Sequence, residues 1–245
     1  PDKLNLSLSQ AKVSYDVSMQ TVGEQCKRLF YRGLFEKRHP MSQFPEASDY
    51  MDLTVEDLQK YVSSNLGLEN LTVFLTGTLS CNLVEYVSNQ IGQIQINRKV
   101  DFGGFEALGV WTPKVRRSTY EMQIPTVQAC LRMGCRAVQR TRPDYIQLMV
   151  LTTLLGGYFG SRLMTNIREE KGLTYDISAS LYQTPQTTLF SIKTETQRES
   201  VELVVAEVYK EMERLVNERP SEAELIQVKN YILGYMCRAY ETNFN

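Results

Sequence analysis

The 245-residue chain is 42% hydrophobic, enough apolar content for a substantial core and too much for a disordered segment. Its formal charge of -1 leaves no excess of Lys and Arg to hold a nucleic-acid backbone or an anionic membrane surface. Five cysteines, odd in number, scattered and without a C-x-x-C pair, argue against a disulfide framework or a zinc knuckle and read as reduced thiols, which favours a cytoplasmic setting.

Residues 6 to 36 carry a helical pattern, with Val13, Val17, Val22 and Cys26 followed by Leu29, Phe30 and Phe35, and are expected to form one helix. After the loop "KRHPMSQFPEASDYMD", the stretch "LTVEDLQKYVSSNLG" has Thr54 as N-cap and Asp57 at the capping-box position, with Leu58, Tyr61 and Val62 on one face. "NLTVFLTG" reads as a buried strand closed by Gly77, and "NLVEYVSNQIGQI" as an amphipathic helix. Composition then shifts. "NRKVDFGGFEALGVWTPKVRRS" mixes three glycines and a proline with basic residues and has no period, so residues 98–118 are expected to link a helix-rich piece, 1–97, to a second piece, 119–245. The opening Pro1-Asp2-Lys3, with no initiator Met and no signal-peptide core, suggests a fragment of a longer protein, and no run is apolar and long enough to span a bilayer.

In the second piece, "TYEMQI" alternates through Tyr120, Met122 and Ile124, and after Pro125 the apolar phase moves to Val127, Ala129, Leu131, Met133 and Cys135, predicting two strand segments broken at the proline. Pro143 opens a helix with Ile146, Met149, Val150, Thr153 and Leu154 inward, stopped by Gly156 and Gly157. Ser161 is placed to cap the next helix, with Leu163, Met164 and Ile167 inward and Gly172 as the stop. Strands over 173–182 and 187–195, joined by "QTPQ", predict an antiparallel hairpin. A helix over 199–216 presents Val201, Val204, Val205, Val208, Met212, Leu215 and Val216. Ser221 then caps a last helix with Glu224 at the box position, buried through Leu225, Val228, Ile232 and Tyr235 or Met236. The expected class is α+β, a two-layer sandwich of antiparallel sheet packed against helices.

The chemistry is narrowed by one count: His39 is the only histidine. The chain cannot assemble a His₂Glu or His₃ zinc site, nor an H-E-x-x-H or H-x-x-E-H helix, so no metal ligand and no catalytic residue is assigned within it. His39, in a polar loop before Pro40, reads as structural. Cys130 paired with His39 would be a nucleophile without an orienting partner. "LGGYFGSRL" matches neither phosphate-loop pattern and joins helix to helix, so it reads as a turn.

"NIREEKGLTYDIS" leaves two readings open. Its helix ends at Gly172 and the chain reverses into the strand bearing Tyr175, which makes Arg168 and Tyr175 neighbours. They are either an exposed arginine at a helix C-terminus beside a half-buried strand tyrosine, or a guanidinium fork and a phenol aimed at a carbonyl or carboxylate oxygen.

The stretch "LTTLLGGYFGSRLMTNIREEKGLTYDISASL" resembles the signature of the non-catalytic half in the pitrilysin/insulinase family of zinc metallopeptidases, which includes the mitochondrial processing peptidases. "HPMSQFPEASDYMDLTVEDLQKYVSSNLGLENLTVFLTG" is similar to the end of the preceding half, and "SEAELIQVKNYILG" to a late helix of the inactive half. The resemblance implies a clam-shell peptidase of two homologous halves, with zinc held by the other half. The half seen here would close over a peptide, and the protease fragment alone would be inactive. It further implies that Arg168 and Tyr175 reach the substrate near the scissile bond, with Gly156 and Gly157 beside the substrate path. The implied partners are a peptide substrate and a zinc-bearing half or paralogous subunit, with homo-oligomerisation left open. The alternative is a structural or assembly protein that kept the fold and lost hydrolysis; a nucleotide-binding module is remote.

Overall fold

The computed structural model describes residues 2–35, 37, 39–51, 53–65, 71–93, 118–184 and 187–241. The chain packs as two units, one of residues 1–16, 45–112 and 237–245, the other of residues 17–44 and 113–236. The expected linker lies, but for residue 118, outside the described residues.

The helical pattern expected over 6 to 36 is two helices, α1 (Asp2–Met19) and α2 (Val22–Leu34). Thr21 makes the break. Its Oγ accepts the Glu24 N–H at 3.3 Å and donates to the Ser18 carbonyl at 2.7 Å, so the hydroxyl serves a new N-terminus instead of letting one helix run on. The signal was present as T-x-x-E, residues 21–24.

In the first unit, α3 (Val55–Asn65) begins with the expected capping box: Asp57 accepts the Thr54 N–H at 2.9 Å, and Thr54 Oγ1 accepts the Asp57 N–H at 3.1 Å. Its apolar residues Leu58, Tyr61 and Val62 are exposed. The strand expected over "NLTVFLTG" is absent from the described part of that stretch: residues 71–76 are irregular and Phe74 is 85% exposed. A β-branched run becomes a strand only when a neighbour takes up its N–H and C=O groups, and no described segment pairs with it. α4 (Cys81–Gly92) starts as expected, with Ser80 Oγ accepting the Leu83 N–H at 3.2 Å.

The second unit is built on an antiparallel sheet of order β1-β3-β2, with β1 Gln128–Ala137, β2 Thr174–Gln183 and β3 Thr188–Gln197. The β2–β3 hairpin is the one predicted. The strand expected over "TYEMQI" is not formed, because Pro125 offers no N–H and the chain turns there, the Thr126 N–H bonding the Ile124 carbonyl at 2.8 Å. Only the segment after the proline pairs.

Register assigns the two faces of this sheet. Leu131 opposite Thr194, Met133 opposite Ile192, and Ala179 opposite Ile192 share one face. That face packs with Leu155, Leu163, Met164, Ile167, Val204 and Val208 to form the core, each buried aliphatic contributing about 1.5–3 kcal/mol. α5 (Tyr145–Thr152), α6 (Val201–Asn217) and α7 (Glu222–Ala239) complete the helical complement. α2 lies on the reverse face: a Cβ on Gly134 of β1 would sit 3.0 Å from the Phe30 ring and 2.2 Å from the Phe190 carbonyl. The class is α+β, an antiparallel sheet packed against helices.

Three inward assignments fail at the margins. Ile146 is exposed while Tyr145 is buried, Val216 is 85% exposed, and Tyr235 and Met236 are exposed beyond a buried Val228. Apolar stripes end before their periodicity does where no facing element covers the last turn.

Candidate functional site

The corner begins in α5. Past Thr152 the helix widens into a π-wound turn, Thr153–Gly157, and Gly156 lies against β2, where a Cβ would come within 2.6 Å of the Ala179 nitrogen. Gly156 is therefore required for close approach of backbone to backbone. Gly157 is half-buried, with space for a Cβ limited by Thr153 at 3.1 Å.

The chain then turns through Tyr158, Phe159 and Gly160. Tyr158 goes to α7, its ring 5.2 Å from Tyr231. Phe159 points outward, 62% exposed. Ser161 starts the next helix through its carbonyl, which accepts the Thr165 N–H at 2.9 Å, but its hydroxyl, in a residue 1% exposed, has no partner among the described residues. The expected side-chain cap is thus not made. Arg162 anchors the turn to α7, Nε to Glu224 Oε1 at 2.8 Å and Nη2 to Oε2 at 3.3 Å.

The helix carrying Arg168 is itself π-wound over Met164–Glu170. Such windings are uncommon and recur at functional sites. Leu163, Met164 and Ile167 are buried as expected, and Gly172 stops the helix with φ +62°. The terminal bonds run wide, the Leu173 N–H reaching back to the Ile167 carbonyl at 3.0 Å. A polar network holds this helix to α6: buried Asn166 donates to Glu207 at 3.0 Å and to Glu211 at 2.8 Å, and Lys171 reaches both Glu207 at 3.1 Å and the Asn166 carbonyl oxygen. The Asn166 amide, with Lys171 beside it, keeps the Glu207 carboxyl below its ordinary range.

A second irregularity follows. Thr174 pairs with Thr196 and Ile177 with Thr194, so β2 spends one residue more than β3 between those pairs. This β-bulge re-aims the side chains inside it. Tyr175 is 87% exposed.

The structure brings Arg168 and Tyr175 together, as the corner predicted, and adds a third residue. The Arg168 guanidinium carbon lies 5.5 Å from the Tyr175 ring centre and 4.8 Å from that of Phe159. Among the described residues the Arg168 guanidinium makes no hydrogen bond and no ion pair. Its five donors are unspent, and the arrangement can offer them to a carbonyl or carboxylate oxygen. Sequence reasoning missed Phe159, whose only signal was an aromatic between glycines in "GGYFGS".

Beside Tyr175 opens a groove of about 930 Å³ whose walls include Glu24 and Lys27 of α2, Arg132 of β1 and Lys193 and Glu195 of β3. Cys130 also lines it, with the Cys26 thiol as its neighbour. The neighbouring Cys26 thiol and burial push the Cys130 thiol up. His39 is structural: Nδ1 accepts the Met41 N–H at 3.1 Å and the ring stacks on Phe35 at 4.3 Å. Among the described residues no three His, Cys, Asp or Glu side chains converge as metal ligands, and none of the described helices is long and apolar enough to cross a membrane. The described side chains do not fit a zinc ion.

Residues 52–232 match the peptidase M16 inactive domain. The chain is 25% identical over 122 residues, half of its length, to the uncharacterized zinc protease YmxG of Bacillus subtilis (strain 168), covering 28% of that protein. It is 23% identical over 208 residues, 81% of its length, to the probable inactive metalloprotease YmfF of the same organism, covering 46% of it. The chain thus spans less than half the length of these curated relatives. Among solved structures, a peptidase M16 inactive domain from Pseudomonas fluorescens superposes with a TM-score of 0.79 at 21% identity, over 97% of this chain and 57% of that one. The periplasmic protease PqqL of Escherichia coli gives 0.62 at 16% identity, over 96% and 26%.

Proposed function

The chain belongs to the peptidase M16 inactive-domain family, and from that premise we propose that it is the non-catalytic half of a zinc-dependent peptidase, binding peptide and closing the chamber over it. The zinc is held by a partner half or a paralogous subunit. One observation carries the reading: the Arg168 guanidinium is left without a hydrogen bond among the described residues, beside an exposed tyrosine, at a corner where a π-wound helix meets a bulged strand.

In this role the corner supplies donors. Arg168 and the Tyr175 hydroxyl bond the carbonyl oxygen of a bound peptide and bond it more strongly as negative charge develops there. Gly156 keeps the turn close to β2, and peptide passes beside it and Gly157. His39, Cys26 and Cys130 take no part.

The test is kinetic and uses the full-length protein with its zinc-bearing half. Arg168→Ala and Tyr175→Phe are expected to lower kcat/KM for peptide cleavage by roughly 10- to 1000-fold, with kcat falling as well as affinity. Thermal stability should hold, since neither side chain is in the core. Wild-type rates in both variants would remove the corner from the site. The second reading is a structural protein of the same fold without hydrolysis, favoured by the likeness to a probable inactive metalloprotease; it predicts no cleavage by the wild type with any zinc-bearing partner.

A further inference from the structure

We propose that Phe159 is a positioning residue for Arg168, its ring holding the guanidinium plane so that the N–H edge stays open to a peptide oxygen; the inference deepens the peptide-binding reading and rests on it. Arginine carries a long side chain with many rotamers, and among the described residues Arg168 has no carboxylate to hold it. What touches it is aromatic. Phe159 lies 4.8 Å and Tyr175 5.5 Å from the guanidinium carbon, both within the range where a ring face attracts a cation. Phe159 is the nearer, and unlike Tyr175 it has no hydroxyl to present to substrate.

A ring face is a suitable support here for a chemical reason. A carboxylate partner would have occupied the donors that the site needs, whereas a ring engages the π-face of the guanidinium and leaves its in-plane N–H groups free. The preceding residues explain why Phe159 can do this. Tyr158 is fixed inward against Tyr231, and a Cβ on Gly160 would meet the Tyr158 ring at 3.0 Å. With Tyr158 and Arg162 both tied to α7, the turn between them is anchored at each end and Phe159 is presented outward from it. The glycine-rich turn therefore acts on the corner through Phe159.

Phe159 is outside the core, so its replacement should spare the fold. The test reads the Arg168 Nε–Hε resonance in the full-length protein, identified by its loss in Arg168→Lys. In the wild type it should lie upfield of the other arginines through ring currents. Phe159→Leu should return it towards them with melting temperature unchanged, and Phe159→Tyr should keep it displaced. Titration with N-acetylglycine, a minimal peptide carboxylate, should move the resonance, and Phe159→Leu should weaken that response by roughly 2- to 5-fold, the worth of one exposed cation–π contact. A resonance unmoved by Phe159→Leu overturns the inference. A resonance that depends on Phe159 but ignores N-acetylglycine supports the positioning and instead counts against Arg168 as a peptide donor.

Discussion

Glu224 serves two partners with one carboxylate. Its Oε2 accepts the Ser221 N–H at 2.8 Å while Ser221 Oγ accepts the Glu224 N–H at 3.2 Å, closing the capping box of α7; both its oxygens also meet Arg162. The Arg162 bonds, with those from Ser221, lower its pKa to about 2 from an ordinary 4.5. A group depressed in the folded state stabilises above its unfolded pKa, and the contribution is lost as pH falls from 4.5 towards 2. Glu224→Gln keeps a box-competent side chain and removes the charge. With the carboxylate a third exposed and screened by solvent, the variant should lose about 1 kcal/mol at pH 7, a deficit that shrinks as pH falls towards the folded pKa of about 2 and vanishes below it. Urea unfolding at several pH values reads this, and a deficit independent of pH would refute it. The box was legible in "SEAE" because capping is local. Arg162, 62 residues away, was not, and neither was Phe159, whose partner is chosen by the fold.

At the scale of elements, the sequence located α5 to α7 and the hairpin of the second unit but not the break before α2 or the π-winding. Apolar spacing over 163–167 and the Gly172 stop are the same signal for an α- and a π-wound helix, and a bulge inside β2 leaves no mark in "LTYDISASL". Both irregularities lie where Arg168 and Tyr175 are presented. Strand readings over 71–76 and 119–124 failed for a different reason: pattern records the wish to be buried, but a ladder needs a partner. The π-wound helix is held from behind by Asn166, which donates to Glu211, itself 3% exposed. Asn166→Leu should therefore destabilise by about 2–4 kcal/mol, because it strands the buried Glu211 Oε1. Chemical denaturation checks this, and a loss below about 0.5 kcal/mol, the size of an ordinary surface change, would show that the network is not what holds the helix.

For the molecule as a whole, class and family were legible for opposite reasons. The α+β class came from periods of two and 3.6 residues succeeding one another, and the family from a stretch, 151–181, whose spacing of Arg, Gly and Tyr is set by one tight corner. The lone histidine rules out a His₂Glu or His₃ zinc site within the chain. The grouping of residues 17–44 with the sheet unit was not legible, since α2 is matched to β1 by close packing at Gly134, a contact distant in sequence. The central claim is that the corner touches peptide, and site-specific photocrosslinking tests it most directly. In the full-length protein, p-benzoylphenylalanine replaces Tyr175 or, as a control of equal exposure on α6, Val216, and is irradiated with fluorescein-labelled casein. The account predicts labelled adducts from position 175 well above those from position 216; equal labelling at the two positions, or none at 175, would contradict it.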